Sequence, residues 1–153
     1  MSQDWSHGYF AESGYMHYFH AETTPSHLRW VATLRGVAAP ADQFRYLDLG
    51  CGQGLSLLVL AANQPGSEFV GIDFMPEHIA HARQLAASAG LTNVQFIEGD
   101  FITLAKQPEA LGEFDYVVAH GISTWVSPQV RESLFSLAGA VLKPGGLMYN
   151  SYN

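Results

Sequence analysis

Residues 46–57 read YLDLGCGQGLSL: a short apolar run carrying an aspartate, then glycines at 50, 52 and 54. A glycine-rich turn behind a buried strand lets backbone N–H groups approach a ligand closely, because no Cβ intervenes. The dinucleotide pattern G-x-G-x-x-G fails in either register, since the sixth position is Leu55 counted from Gly50 and Leu57 counted from Gly52. No lysine follows, which excludes a P-loop.

Carboxylates take the place of phosphate chemistry. Asp48 lies two residues before Gly50, where it would repel a pyrophosphate and attract an ammonium or sulfonium. The second apolar run ends in Asp73, suited to accept from two ribose hydroxyls, and the third ends at Glu98-Gly99-Asp100, where Asp100 can accept from an adenine amino group. Acids at three successive strand ends, with a glycine loop in the first, describe a pocket for a cationic nucleoside.

From Gln43 onward short apolar runs alternate with longer helical patterns, the signature of stacked βαβ units and a parallel sheet. Strands are predicted at Arg45–Leu49, Glu68–Asp73, Val94–Glu98, Phe114–Ala119 and 146–152. The runs FVGID and YVVAH are nearly all apolar, as strands covered on both faces require. Helices are expected over 53–63, from Pro76 to about Ala89 with Gly90 as the stop, and from Pro128 behind a Ser127 cap to Pro144-Gly145-Gly146. Residues 1–40 form a separate segment rich in aromatics and histidine. Its helix starts at Thr24-Pro25, with Leu28, Val31, Ala32 and Leu34 on one apolar side, and it is expected to cap the strand ends.

At 153 residues, 48% of them hydrophobic, the chain is one domain or part of one, with residues 41–153 as its core unit. Net charge is −7 and the seven Lys and Arg are scattered singly, which disfavours a nucleic-acid partner. A lone cysteine fits a reducing compartment, no apolar stretch is long enough to span a membrane, and the opening MSQDWSHGYF is not of signal-peptide type. The expected location is the cytoplasm.

The pattern resembles the class I S-adenosylmethionine-dependent methyltransferases. The matching stretches are DLGCGQG at 48–54, GIDFMP at 71–76, EGDF at 98–101, FDYVVAHG at 114–121 and LKPGGLMYNSYN at 142–153, in the family's order and spacing. AHGISTWVSPQVR and the ending MYNSYN resemble the bacterial methyltransferases that carry a downstream methyltransferase-regulatory domain, some of which modify protein lysines. The resemblance implies a Rossmann-like doubly wound α/β sheet, order 3-2-1-4-5, with an N-terminal helical cap. It implies methyl transfer from S-adenosylmethionine to a small-molecule or protein nucleophile, leaving S-adenosylhomocysteine. Asp48, Gly50, Cys51 and Gly52 would hold the methionine end of the cofactor, and Asp73 the ribose. Phe74 and Met75 would flank the adenine, with Asp100 at its amino group beside the Phe101 backbone. His120 would stand at the substrate-facing edge, as a cofactor contact or as the base for an amine acceptor.

Plainer roles compete at several positions. Asp73 and Asp100 also suit helix capping or a turn, Phe74, Met75 and Phe101 suit core packing, and Cys51 suits a small turn residue whose backbone N–H matters more than its sulfur. His17, His20 and His27 have loose metal-like spacing, and His78 and His81 lie one turn apart, but no carboxylate or cysteine completes either set, so no metal is expected. Tyr9, Tyr15, Tyr18 and Trp125 suit either an acceptor site or packing of the cap.

The family fold continues past the fifth strand, whereas this chain stops at Asn153. An apolar strand left there would be an exposed edge, so a longer parent protein or a covering partner chain is expected. A cofactor-binding module without turnover is the rival from another class; a nicotinamide oxidoreductase is opposed by Asp48 and the glycine register.

Overall fold

The computed structural model describes residues 18–152. Five strands form one parallel sheet in the order β3-β2-β1-β4-β5: β1 is Arg45–Leu49, β2 Glu68–Asp73, β3 Val94–Glu98, β4 Phe114–Ala119 and β5 Leu142–Asn150. Period-2 alternation along β1 assigns its side chains to opposite faces. Leu47 and Leu49 join Val70, Ile72, Val117 and Ala119 beneath helix α5, Pro128–Val141, which contributes Val130, Leu134, Leu137 and Val141. Tyr46 joins Phe69, Phe96, Tyr116 and Val118 on the other face, under α2 (Leu55–Asn63) and α3 (Pro76–Ser88). The doubly wound order with helices on both faces is the expected one.

The first four strands have the bounds that the apolar runs suggest; the fifth does not. Helix α5 stops at Val141 and β5 starts at Leu142, so Pro144-Gly145-Gly146 lies inside the strand rather than ending the helix. Its register against β4 jumps from Phe114↔Leu142 to Tyr116↔Leu147. The extra residues bulge, with Gly145 at φ 80° and Pro144 removing one ladder donor. Lys143 is thereby placed to donate to both oxygens of Asp115, at 3.1 and 2.9 Å. Between β3 and β4 the chain also forms the four-residue helix α4, Phe101–Leu104, and a 3-10 turn, Pro108–Leu111. Neither is long enough to give a periodic signal.

Before β1 the described residues form two short elements. A 3-10 turn, Ala21–Thr23, sits at the carboxyl end of the sheet, and α1, Pro25–Leu34, follows it with Thr24 accepting from the His27 N–H. Ala32 is buried and Leu28 packs against the core, whereas Val31 and Leu34 face solvent, contrary to the expected apolar side. Tyr9, Tyr15 and His17 lie outside the described residues. Among those described, no helix is long and apolar enough to cross a membrane.

Candidate active site

The glycine loop is held by strand β2. The N–H groups of Gly50 and Cys51 both donate to the Ile72 carbonyl, at 2.8 and 3.0 Å. The Gly52 N–H donates to Asp73 Oδ2 at 2.8 Å, and the Gly54 N–H to the Cys51 carbonyl at 3.0 Å. Those N–H groups therefore fix the loop itself. Left-handed backbone and crowding together demand glycine. Gly54, at φ +76°, would bring a Cβ to 2.5 Å from the Phe96 ring, and Gly50, at φ +85°, to 2.5 Å from Ile122 Cδ1. Gly54 also leads into α2 without a side-chain cap, so the first N–H groups of that helix have no acceptor from a capping side chain.

Two carboxylates flank this loop and differ sharply. Asp73 is buried and held on both oxygens: besides Gly52 it accepts from the Met75 N–H at 2.9 Å, and His78 Nδ1 lies 3.3 Å away. Asp48 accepts no hydrogen bond from any described residue. It keeps a partly exposed edge, yet protein surrounds it closely, and burial together with the nearby Asp73 pushes its pKa up to about 7. Cys51 is buried beside both acids, and burial first, then the acids, raise its thiol pKa well above the usual range. A thiol so placed is a small packing group, not a nucleophile.

Past β2, Phe74 packs partly into the core and Met75 immediately precedes α3. Asp100 caps α4, its Oδ1 accepting from the Thr103 N–H at 2.8 Å, and Phe101 is only 1% exposed in the core. Both plainer roles are thus realised, and the Phe101 carbonyl accepts from the Ala105 N–H at 2.9 Å. Gln53 Oε1 and Asn150 Oδ1 are buried without a hydrogen-bond partner among the described residues. The sequence reading singled out neither, since a lone amide carries no pattern.

His120 follows β4, on a loop tied down by the end of β5. Ser151 supplies that anchor: its hydroxyl accepts from the Gly121 N–H at 2.7 Å and its carbonyl from the Ser123 hydroxyl at 3.0 Å. Around His120 gather residues remote in sequence. Its ring lies 3.9 Å from that of His20, centroid to centroid, and stacks at 5.9 Å on Tyr149 of β5. Glu22 Oε1 lies 3.8 Å from His120 Nε2 and 3.4 Å from His20 Nδ1. Burial and His20 lower the His120 pKa, while Glu22 opposes them. The 3-10 turn that carries Glu22 is pinned twice: Tyr46 Oη donates to the Thr23 carbonyl at 2.8 Å, and the His20 N–H to Ser56 Oγ of α2 at 3.3 Å. Of the histidines noted in the sequence, His27 pairs instead with the Trp30 ring, and Trp125 and Tyr18 are largely exposed. A hollow of about 460 Å³ lies at the other end of the sheet, lined by the Arg29–Asp42 ion pair, Phe44 and Ser67, with none of these groups in it.

The sequence and the fold have counterparts among known proteins. A family model described as a methyltransferase domain matches residues 40–153. A structure titled PKMT2, from Rickettsia typhi in complex with AdoHcy, superposes with a TM-score of 0.82 at 29% identity, over 88% of this chain and 26% of that one. An uncharacterized protein of Synechocystis is 37% identical over 97% of this chain and 29% of its own length. The demethylmenaquinone methyltransferase of Thermus thermophilus is 37% identical over 78% of this chain and 51% of its own length. The chain thus spans less than a third of the first two relatives.

Proposed function

Given that the chain belongs to the class I S-adenosylmethionine-dependent methyltransferases, we propose that it binds S-adenosylmethionine over the carboxyl ends of β1 and β2 and catalyses transfer of its methyl group to a nucleophile approaching over β4 and β5. The observation that carries the reading is Asp48: a closely packed carboxylate with no hydrogen-bond donor among the described residues, beside a second carboxylate and a glycine loop. A carboxylate so placed is costly to ionise alone and is stabilised by a cation. The cofactor's ammonium and sulfonium supply that charge, and its carboxylate suits the uncapped start of α2.

Asp73 is the ribose acceptor in this reading, already oriented by two backbone N–H groups. Phe74 and Met75 flank the adenine, and the second Asp100 oxygen meets its amino group beside the Phe101 backbone. The bound cofactor supplies an electrophilic methyl, which passes to the acceptor's lone pair while sulfur keeps the bonding electrons and becomes a neutral thioether. The protein's own contribution is alignment and exclusion of water. His120, fixed by the Ser151 anchor, lines the acceptor's approach, and the net charge of −7 favours a small-molecule or protein side-chain acceptor over a nucleic acid.

Calorimetry with S-adenosylmethionine and S-adenosylhomocysteine tests the binding, and a methyl-release assay over amine, thiol and hydroxyl acceptors tests the transfer. Saturable binding of both nucleosides that is lost in Asp73→Ala is the expected result. Indifference of the parent chain to both ligands would sink the proposal.

A further inference from the structure

The cluster around His120 has a use that cofactor binding does not absorb. His20, Glu22 and His120 offer two imidazole nitrogens and a carboxylate oxygen, all within 4.8 Å of one another, from segments about a hundred residues apart in the chain. We propose that these three residues form a binding site for one divalent transition-metal ion of the Zn²⁺ or Co²⁺ type, with at least one coordination position left open.

The donor set suits such an ion. Imidazole and carboxylate ligands select zinc, cobalt and their neighbours over magnesium or calcium, which favour oxygen alone. Ligands 2.0–2.1 Å from a tetrahedral ion stand about 3.3–3.4 Å apart. The His20–Glu22 separation of 3.4 Å already meets that spacing, and the His120–Glu22 separation of 3.8 Å needs to close by only a few tenths. The two imidazole rings lie 3.9 Å apart, centroid to centroid, and tilted by 37°, so binding turns them to aim both in-plane lone pairs at one point.

Support behind the ligands is also in place. Tyr149 Oη lies 3.4 Å from His120 Nδ1, and a hydrogen bond there leaves Nε2, the nitrogen facing Glu22, free to ligate. His20 is held by its main chain: its N–H reaches Ser56, and its carbonyl accepts from the Thr23 hydroxyl at 2.8 Å. All three ligands are half-buried, open enough for an ion to enter and enclosed enough to hold it. Two neutral imidazoles and one carboxylate carry a single negative charge, so a divalent ion leaves the site at +1 with room for an anionic or lone-pair ligand. Three protein ligands with a vacant position is the pattern of catalytic rather than purely structural zinc. With Nε2 on a metal, His120 has no lone pair for a proton, so ligand and base are exclusive roles for it.

The test needs neither cofactor nor acceptor, so its outcome is independent of the methyl-transfer reading. Co²⁺ is titrated into the 153-residue chain, stripped with chelator, while visible absorption is followed; Zn²⁺ competition then reports affinity. One ion per chain, with the intense d–d bands of a four-coordinate site, is expected. Glu22→Gln, a nearly isosteric change, and His120→Ala should each weaken binding at least tenfold. Tyr149→Phe should weaken it severalfold by freeing the ring tautomer. His27→Ala and His81→Ala serve as controls and should bind as the parent does. Substoichiometric binding, or an affinity that Glu22→Gln leaves unchanged, would overturn the proposal. Should His120→Ala unfold by circular dichroism, Glu22→Gln alone decides.

Discussion

The two halves of the sheet's carboxyl end are built by different means. Over β1 and β2 the site is backbone: a glycine loop stitched to the Ile72 carbonyl and to Asp73 by its own N–H groups. Over β4 and β5 it is side chains: His20, Glu22, His120 and Tyr149, drawn from the N-terminal turn, the β4 loop and β5. The first half is written in about 25 consecutive residues and tolerates little change. The second depends on pieces that meet only when the chain is folded, and each can be altered without unmaking the loop.

If that contrast holds, the largest loss of cofactor affinity comes from the backbone half. Gly54→Ala must hold a left-handed φ and push a methyl to within 2.5 Å of the Phe96 ring. It should cost about 2–4 kcal/mol of stability and abolish measurable S-adenosylmethionine binding. Chemical denaturation and calorimetry read the two effects. Asp73→Ala comes next. It removes the acceptor for the Gly52 and Met75 N–H groups together with the proposed ribose contact. Affinity should fall about 100-fold and stability by about 1–3 kcal/mol, as for lost charge-assisted hydrogen bonds.

Asp48 sharpens the comparison because its sign is opposite. Its folded pKa of about 7 lies above the unfolded value near 3.8, so the native state prefers the protonated acid. The folded chain carries no penalty from this group at pH below about 4, an increasing one as pH rises through the interval to 7, and the full one above. Asp48→Asn should therefore stabilise the cofactor-free chain at pH 8, by about 1–3 kcal/mol once solvent access and the cost of a buried amide are allowed for, and hardly at all at pH 4. Cofactor binding behaves the other way, since a cation favours the ionised acid. Affinity in the parent should be about tenfold weaker at pH 6 than at pH 8, and Asp48→Asn should be uniformly weak and lose that slope. Thermal melts and calorimetry across pH separate the two. A variant that destabilises at pH 8, or a parent with flat affinity, would show that Asp48 has a partner in the folded chain.

The same contrast explains what was legible in the sequence. Strands β2 and β4 are buried on both faces and announce themselves as apolar runs with abrupt ends. The glycine register and the acids at 48, 73 and 100 are local, so their spacing can be read directly from the chain. The fifth strand was misplaced because Pro144-Gly145 reads as a terminator, whereas here it forms a bulge that a sheet edge can absorb. Helix α4 escaped notice because four residues have no period. His120 was visible through its position after a strand, but Glu22 was not. Nothing near Glu22 in the chain marks it, and its role depends on Tyr46 and Ser56 holding the 3-10 turn against the sheet.

That dependence yields the smallest and most selective of the expected effects. Tyr46 is 1% exposed on β1, and its hydroxyl is the buried bond that fastens the Thr23 carbonyl to the sheet. Tyr46→Phe keeps the ring in its packing place and deletes only that bond, which should cost about 1–2 kcal/mol in urea unfolding. Because Tyr46 makes no contact with the loop's hydrogen bonds, S-adenosylmethionine affinity should stay within about twofold of the parent. The loosened turn carries His20 and Glu22 away from His120, so Co²⁺ affinity should fall even though all three ligands remain. If the variant instead weakened both ligands equally, the two halves would be one cooperative unit, and the division between a backbone-built and a side-chain-built site would not survive.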